Sequence, residues 1–330
     1  MTRASFLLAL AAVAAGCRGP VELAAQERPI AAVAPDAAVA APPARPSSTA
    51  TTTLPPSYRG AVATPTGVVV PVLGASADGW LVGTPCGRTA SVRNVRALTG
   101  TVVLDAGHGG METGAIGPLG HRESDLNAAV VAQARRALRA AGISAVLTRT
   151  GDYRIAIVAR AAIVGAVKPR AVVSIHHNAS FSELRATPGT EIFHQAVGAS
   201  AAESRRLAGL LYEEVTATLA RYDITRWVAT SGAGVKPRRN AAGDDFYGML
   251  RRTQGTPAAL VEVGFISHEA EEGLYARPAV QQAVGEAVAR GVVRFLTTTD
   301  PGRGFIDPPN LADDNRPGGG TENCQDPPLG

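Results

Sequence analysis

Thr101-Val102-Val103-Leu104-Asp105-Ala106-Gly107-His108-Gly109-Gly110 is the stretch on which the reading of this chain turns. A short apolar run of strand character ends in a histidine with glycines on both sides. Those glycines let the backbone turn sharply and present the imidazole. Downstream, strand and helix signals alternate. Leu126, Ala129, Val130, Ala134, Ala137, Leu138 and Ala141 recur at helical spacing over 124–141, and Gly142 is a fitting stop. Strands are expected over 143–147, 171–175, 190–193 and 258–263, with a further helix over 154–167. Ser200 and Glu203 form a capping-box pattern ahead of Leu207, Leu210, Leu211, Val215 and Leu219, and Pro278 opens a last helix ending near Leu296. The alternation predicts an α/β fold, a three-layer αβα sandwich around a mainly parallel, roughly six-stranded sheet. In such sheets ligands gather beyond the carboxyl ends of the strands.

Four residues fall where that rule puts a site. His108 follows the first strand, Glu123 precedes the first long helix, His176 ends the strand Val172-Val173-Ser174-Ile175, and Glu262 sits inside Leu260-Val261-Glu262-Val263-Gly264-Phe265. An acid in so apolar a run is costly unless it is paired or functional. Two neutral imidazoles and one carboxylate, with one position left open, form a known catalytic zinc arrangement. A second carboxylate that is not a ligand can then move the proton of the attacking water to a leaving amine. Spacings of 15 and 53 residues between the ligands give this little support on their own. No His-Glu-x-x-His, Gly-x-Ser-x-Gly or Cys-x-x-Cys motif is present. Strand alternation turns His177 to the face opposite His176, which makes it structural. His121 reads as a loop residue, His194 as a strand-end or surface residue, and Arg149 as structural. Asn178 and Glu191 are candidates for touching substrate or supporting the site.

The order of the motifs is more specific than any one of them. Asp105 to Gly110, Gly120-His121-Arg122-Glu123-Ser124-Asp125-Leu126-Asn127, Thr148-Arg149, Ser174-Ile175-His176-His177-Asn178 and Leu260 to Ser267 follow one another. This series resembles the catalytic domain of zinc-dependent N-acetylmuramoyl-L-alanine amidases, over about Thr101 to Leu296. The resemblance implies that zinc is bound by His108, Glu123 and His176, and that Glu262 is the catalytic acid–base. It implies hydrolysis of the amide between the lactyl group of N-acetylmuramic acid and L-Ala of the stem peptide, with peptidoglycan or muropeptides as substrate. Ala106 stands where the family usually has Pro, and His268 where it usually has Asn. The alternatives are another exported zinc hydrolase of amides or peptides on the same scaffold, and a non-catalytic wall-binding lipoprotein.

The rest of the chain sets the context. It has 330 residues, 45% hydrophobic and 18% charged. Its longest uninterrupted apolar stretch, Phe6 to Ala15, is too short for a spanning helix, which needs about 20 residues. Residues 1–17 have the parts of an export signal, and Ala14-Ala15-Gly16-Cys17 resembles a lipobox that would attach the protein to a membrane through Cys17. Residues 18–59 are Pro- and Ala-rich and are expected to be a disordered linker. Residues 60–98 read as a small β-rich extension, with Pro71 favouring an edge strand. Residues 99–299 form the catalytic domain, and 300–330 a flexible acidic tail. Two Arg against five Asp and Glu give residues 301–330 a charge of −3, so the overall +4 leaves +7 on the remainder. With only Lys168 and Lys236 and no run of Arg, the charge does not imply nucleic acid; it suits an anionic envelope. An exported protein of the periplasm or cell envelope, monomeric, is expected. Of three cysteines, Cys86 and Cys324 remain free to pair or to stay as thiols.

Overall fold

The computed structural model describes residues 54–180, 183–224, 226–306, 310–311 and 319–330. The expected signal sequence, its lipobox and nearly all of the 18–59 linker lie outside the described residues. Five strands come first: β1 (Ala61–Ala63), β2 (Val69–Ser76), β3 (Gly79–Gly83), β4 (Thr89–Val92) and β5 (Arg96–Leu98). They form an antiparallel sheet in the order β4-β3-β2-β1-β5 around Val62, Val70, Val72, Val82 and Val92. Pro71 does not lie on an edge, as its ring had implied, because β2 pairs with both β1 and β3. The sheet accommodates it in two ways. Val72, not Pro71, donates to Gly60 O just ahead of β1 (2.9 Å), and the β2–β3 ladder begins one residue beyond the proline. Its ring faces Gly83, where a Cβ would come within 3.2 Å of Pro71 Cγ.

The alternating part follows: β6 (Val102–Ala106), α1 (Glu123–Ala140), β7 (Ala145–Leu147), α2 (Ile157–Val167), β8 (Ala171–Asn178), β9 (Glu183–Arg185), β10 (Glu191–His194) and α3 (Ala201–Leu219). Then come β11 (Trp227–Ala229), β12 (Gly234–Lys236), β13 (Arg238–Arg239), α4 (Gly248–Arg252), β14 (Ala258–Phe265), α5 (Glu269–Tyr275), α6 (Pro278–Thr297) and β15 (Asn310–Leu311). Six strands make the central sheet, in the order β12-β10-β14-β8-β6-β7. Only the β10–β14 pairing is antiparallel, so the α/β architecture around a mainly parallel six-stranded sheet is the one observed.

Strand alternation assigns the two faces. Val102, Leu104, Val173, Ile175, Val261 and Val263 face α1, α3 and α6, where Leu126, Leu138, Leu207, Leu211, Val284 and Val288 complete the larger core. Val103, Val172 and Leu260 face the other way, onto Ile163 and Val164 of α2 and Met249 and Leu250 of α4. Helix boundaries follow the sequence signals closely, with one exception. Ser200 stands at the N-cap of α3 but makes no side-chain cap, and Glu203, its expected capping-box partner, is taken by Arg206 at 3.0 Å.

The face toward α2 carries one charged pair. Asp105 on β6 and Arg160 on α2 are almost fully buried, with Nη1 2.6 Å from Oδ1. Thr148 Oγ1 donates to the same oxygen and Ser174 Oγ to the other, both at 2.6 Å. Burial opposes the Asp105 charge, but Arg160 and these hydroxyls outweigh it and hold the carboxyl at about 2. The native state therefore binds fewer protons than the unfolded chain in the acid range. Its stabilisation is complete above about pH 4 and is lost as pH falls toward 2. Arg160→Leu is expected to cost about 3–5 kcal/mol at pH 7 in urea denaturation, because it strands a buried carboxylate. The deficit should narrow in acid, as Asp105 takes up a proton.

Candidate metal centre and active site

The carboxyl ends of β6, β8 and β14 converge with the start of α1. His176 and Glu262 are directly paired across β8 and β14, and Glu262 is paired with Glu191 across β14 and β10. Three candidate side chains therefore stand in a row on the α2 face of the sheet. His177, one residue on, turns into the other core. There its Nδ1 meets Asn127 Oδ1 at 2.8 Å, its ring packs on Tyr275, and burial lowers its pKa to about 4.

Glu123, the first residue of α1, joins the two other ligand candidates. Its Oε2 lies 3.2 Å from His108 Nε2 and its Oε1 2.9 Å from His176 Nδ1. The two imidazole rings meet edge to face at 4.9 Å. Asn127 Nδ2 and the Ala115 N–H also donate to this carboxylate, at 3.2 and 3.1 Å. Burial opposes the Glu123 charge, but the two imidazoles overcome it and hold the carboxyl far below the usual range. Burial likewise works against a charged His108. Hydrogen bonds to Glu112 and Glu123 outweigh it and raise the imidazole to about 9.

Two glycines make room for this packing. A Cβ at Gly107 would sit 2.2 Å from the His176 ring. One at Gly114, which is at φ 68°, would sit 2.4 Å from Glu123 Oε2. His108 itself is held at φ 58°. The loop carrying it is pinned from below by two buried arginines. Arg160 donates to the carbonyls of Ala106 and His108, each at 2.7 Å. Arg149 donates to those of Ala106, Gly107, Ser124 and Gly151, which bears out its structural reading.

His108, Glu123 and His176 line a cavity of about 340 Å³, together with Asn178, Tyr247, Met249 and Arg251. Glu262 projects into it, and its Oε2 is buried with no hydrogen-bond partner among the described residues. Burial, followed by the charges of Glu123 and Glu191, pushes its carboxyl well above the ordinary range. Glu191 stays fixed instead. Lys236 Nζ, itself buried, lies 2.8 Å from its Oε1, Thr230 donates to the same oxygen, and Asn178 Nδ2 donates to Oε2 at 2.9 Å. Asn178, which lines the cavity, is thus held from behind by Glu191.

Two of the other histidines, His121 and His194, are accounted for locally. His121 meets Glu272 at 3.0 Å, and His194 ends β10 and is buried, so the surface alternative for it does not hold. Four contributors escape a reading of the sequence alone. Glu112 Oε1 lies 3.1 Å from His108 Nδ1, and its only signal is an acid four residues beyond a glycine-flanked histidine. Arg160 is the one charge in the otherwise apolar α2, a signal that could have been used. Lys236 and Gly114 carry no local signal.

The donor atoms of His108, Glu123 and His176 all lie within 4.8 Å of one another, a spread that fits one small metal ion with a position left open. With a second carboxylate facing the same cavity, the arrangement contains the parts of a metal-assisted hydrolase. The comparisons name the class. The family profile of N-acetylmuramoyl-L-alanine amidase (amidase type 3) matches residues 102–294. The N-acetylmuramoyl-L-alanine amidase AmiA of Escherichia coli K12 is 31% identical over 221 residues, covering 59% of this chain and 75% of AmiA. Cwp6 from Clostridium difficile superposes with a TM-score of 0.53 at 25% identity, over 63% of this chain and 32% of its own. The apo amidase Ami1 of Mycobacterium abscessus, at 21% identity and TM-score 0.50 over 59% of this chain and 98% of its own, supports the fold alone. This chain belongs to the N-acetylmuramoyl-L-alanine amidase family.

Gly107→Ala tests the packing of the site. The added methyl has to displace the His176 ring. We expect a loss of about 1–3 kcal/mol in urea denaturation of the metal-free protein, the usual cost of overpacking.

Proposed function

We propose that His108, Glu123 and His176 hold a zinc ion and that Glu262 is the catalytic acid–base of an exported amidase. The substrate is peptidoglycan or its muropeptide fragments. The bond broken joins the lactyl carbonyl of N-acetylmuramic acid to the amino group of L-Ala. The observation that supports this best is the buried Oε2 of Glu262, without a hydrogen-bond partner among the described residues, on a side chain that faces the two-imidazole, one-carboxylate donor set across one cavity. When bound, zinc supplies Lewis acidity toward the scissile carbonyl and the attacking water.

The chain's own residues do the rest. His108 Nδ1–H donates a hydrogen bond to Glu112, which leaves the Nε2 lone pair free to serve as the ligand atom. Glu262 takes the proton of the attacking water and delivers it to the departing L-Ala nitrogen. Its environment suits that exchange, because burial and two neighbouring carboxylates make it a stronger base than an exposed glutamate. Asn178, oriented by Glu191, offers a polar edge to the stem peptide beside the reacting bond.

The same reading places the enzyme in the periplasm or cell envelope as a monomer, with Cys17 as the lipid-attachment residue and 18–59 as the tether. No helix among the described residues is long and apolar enough to cross a membrane.

Glu262→Ala is expected to retain zinc and to lose nearly all release of L-Ala-terminated peptides from purified wall, a fall of at least about 100-fold for loss of a general acid–base. Peptide release at the wild-type rate would refute the role given to Glu262.

A further inference from the structure

Residues 319–330, within the stretch expected to be a flexible tail, are fixed against the body of the protein and reach its site. Cys324 is bonded to Cys86, in the turn between β3 and β4, with 5.5 Å between their Cα atoms. Beside the disulfide, Asp326 accepts the Cys86 N–H at 2.7 Å and pairs with Arg88 at 2.8 Å. Leu329 packs into the core of the β1–β5 sheet. Gly319 lines the catalytic cavity, and its carbonyl accepts the Ile157 N–H at the start of α2, at 3.0 Å.

Between these anchors the tail meets Arg154. The carbonyls of Gly320 and Glu322 accept from Nη2 and Nη1, at 2.9 and 2.5 Å. The guanidinium's remaining edge, Nε, donates to Glu112 Oε2 at 3.0 Å, and the other oxygen of Glu112 holds His108 Nδ1. A guanidinium is a rigid planar fork, so two backbone carbonyls on one edge fix the direction of the third donor. The tail therefore sets Arg154, Arg154 sets Glu112, and Glu112 sets the plane and tautomer of the His108 ring. Without the tail, both Nη groups lose their carbonyl acceptors, and the single Glu112 contact is left to orient the guanidinium.

We propose that the disulfide-anchored tail is a working part of the metal centre, with Arg154 and Glu112 as positioning residues through which it orients His108 for zinc. The inference rests on the zinc reading of the site. It assigns the Cys86–Cys324 bond a role beyond holding the small sheet in place, because a bond 238 residues long in sequence then governs a ligand of the catalytic ion.

Zinc affinity, measured by chelator competition on the full chain, tests this without relying on activity. Wild type, Arg154→Gln, Cys86→Ser/Cys324→Ser and the triple variant are compared, with circular dichroism and urea denaturation as controls for folding. Arg154→Gln and the double cysteine variant should each bind zinc about 10–100-fold more weakly, the usual effect of losing a partner that orients a ligand. The triple variant should be no weaker than Arg154→Gln by more than a few fold, because both changes break one chain of contacts. Unchanged zinc affinity in folded Arg154→Gln or in the folded cysteine variant overturns the proposal, as do losses that add in full. A cysteine variant that fails to fold leaves Arg154→Gln, with the disulfide intact, to decide. Wild-type protein that takes up no zinc would instead refute the zinc reading, and this proposal with it.

Discussion

One buried carboxylate organises this molecule. Glu123 lies between two imidazoles, at 3.2 and 2.9 Å, and also accepts from an asparagine and a backbone amide. An uncompensated charge in that position would cost several kcal/mol, whereas each hydrogen bond returns about 1.5–3 kcal/mol when one partner is ionised. The anion is tolerable only if the loop after β6, the first turn of α1 and the end of β8 meet within a few ångströms. The fold meets that demand with two glycines that leave space for the rings and a histidine held at positive φ. The same convergence creates a metal-sized donor set.

The supports beneath it have one character. Asp105, Arg160 and Arg149 form a buried polar layer that takes up the carbonyls of the His108 loop. Such a layer does little for net stability compared with apolar packing, since desolvating the charges offsets most of their attraction. What it supplies is a single geometry for the loop. Beside Glu262, Lys236 pairs with Glu191, whereas Oε2 of Glu262 has no hydrogen-bond partner among the described residues. Of these two neighbouring acids on adjacent strands, one is held by partners and the other faces the cavity.

Much of this was legible beforehand, for definable reasons. The strand–helix alternation follows from apolar periodicity, and the opposite facing of His176 and His177 from the two-residue repeat of a strand. The four site residues fall at strand ends or helix starts, where an α/β sheet places its ligands. What stayed hidden depends on long-range contact. Lys236 and Arg154 act through partners 45 and 168 residues away, and nothing in their local sequence marks the connection. The acidic, Pro- and Gly-rich tail had a disordered composition. Residues 319–330 are nevertheless held, because a disulfide, an ion pair and backbone carbonyls substitute for the apolar burial they lack. Pro71 misled for a related reason: the allowance for its ring is made on a neighbouring strand, at Gly83.

Product analysis of purified peptidoglycan digested by the zinc-loaded protein tests the central claim most directly. Mass spectrometry should find glycan with unsubstituted lactyl carboxylates and stem peptides beginning with a free L-Ala amine. Products cut within the stem peptide, with the lactyl–L-Ala amide intact, would contradict the account.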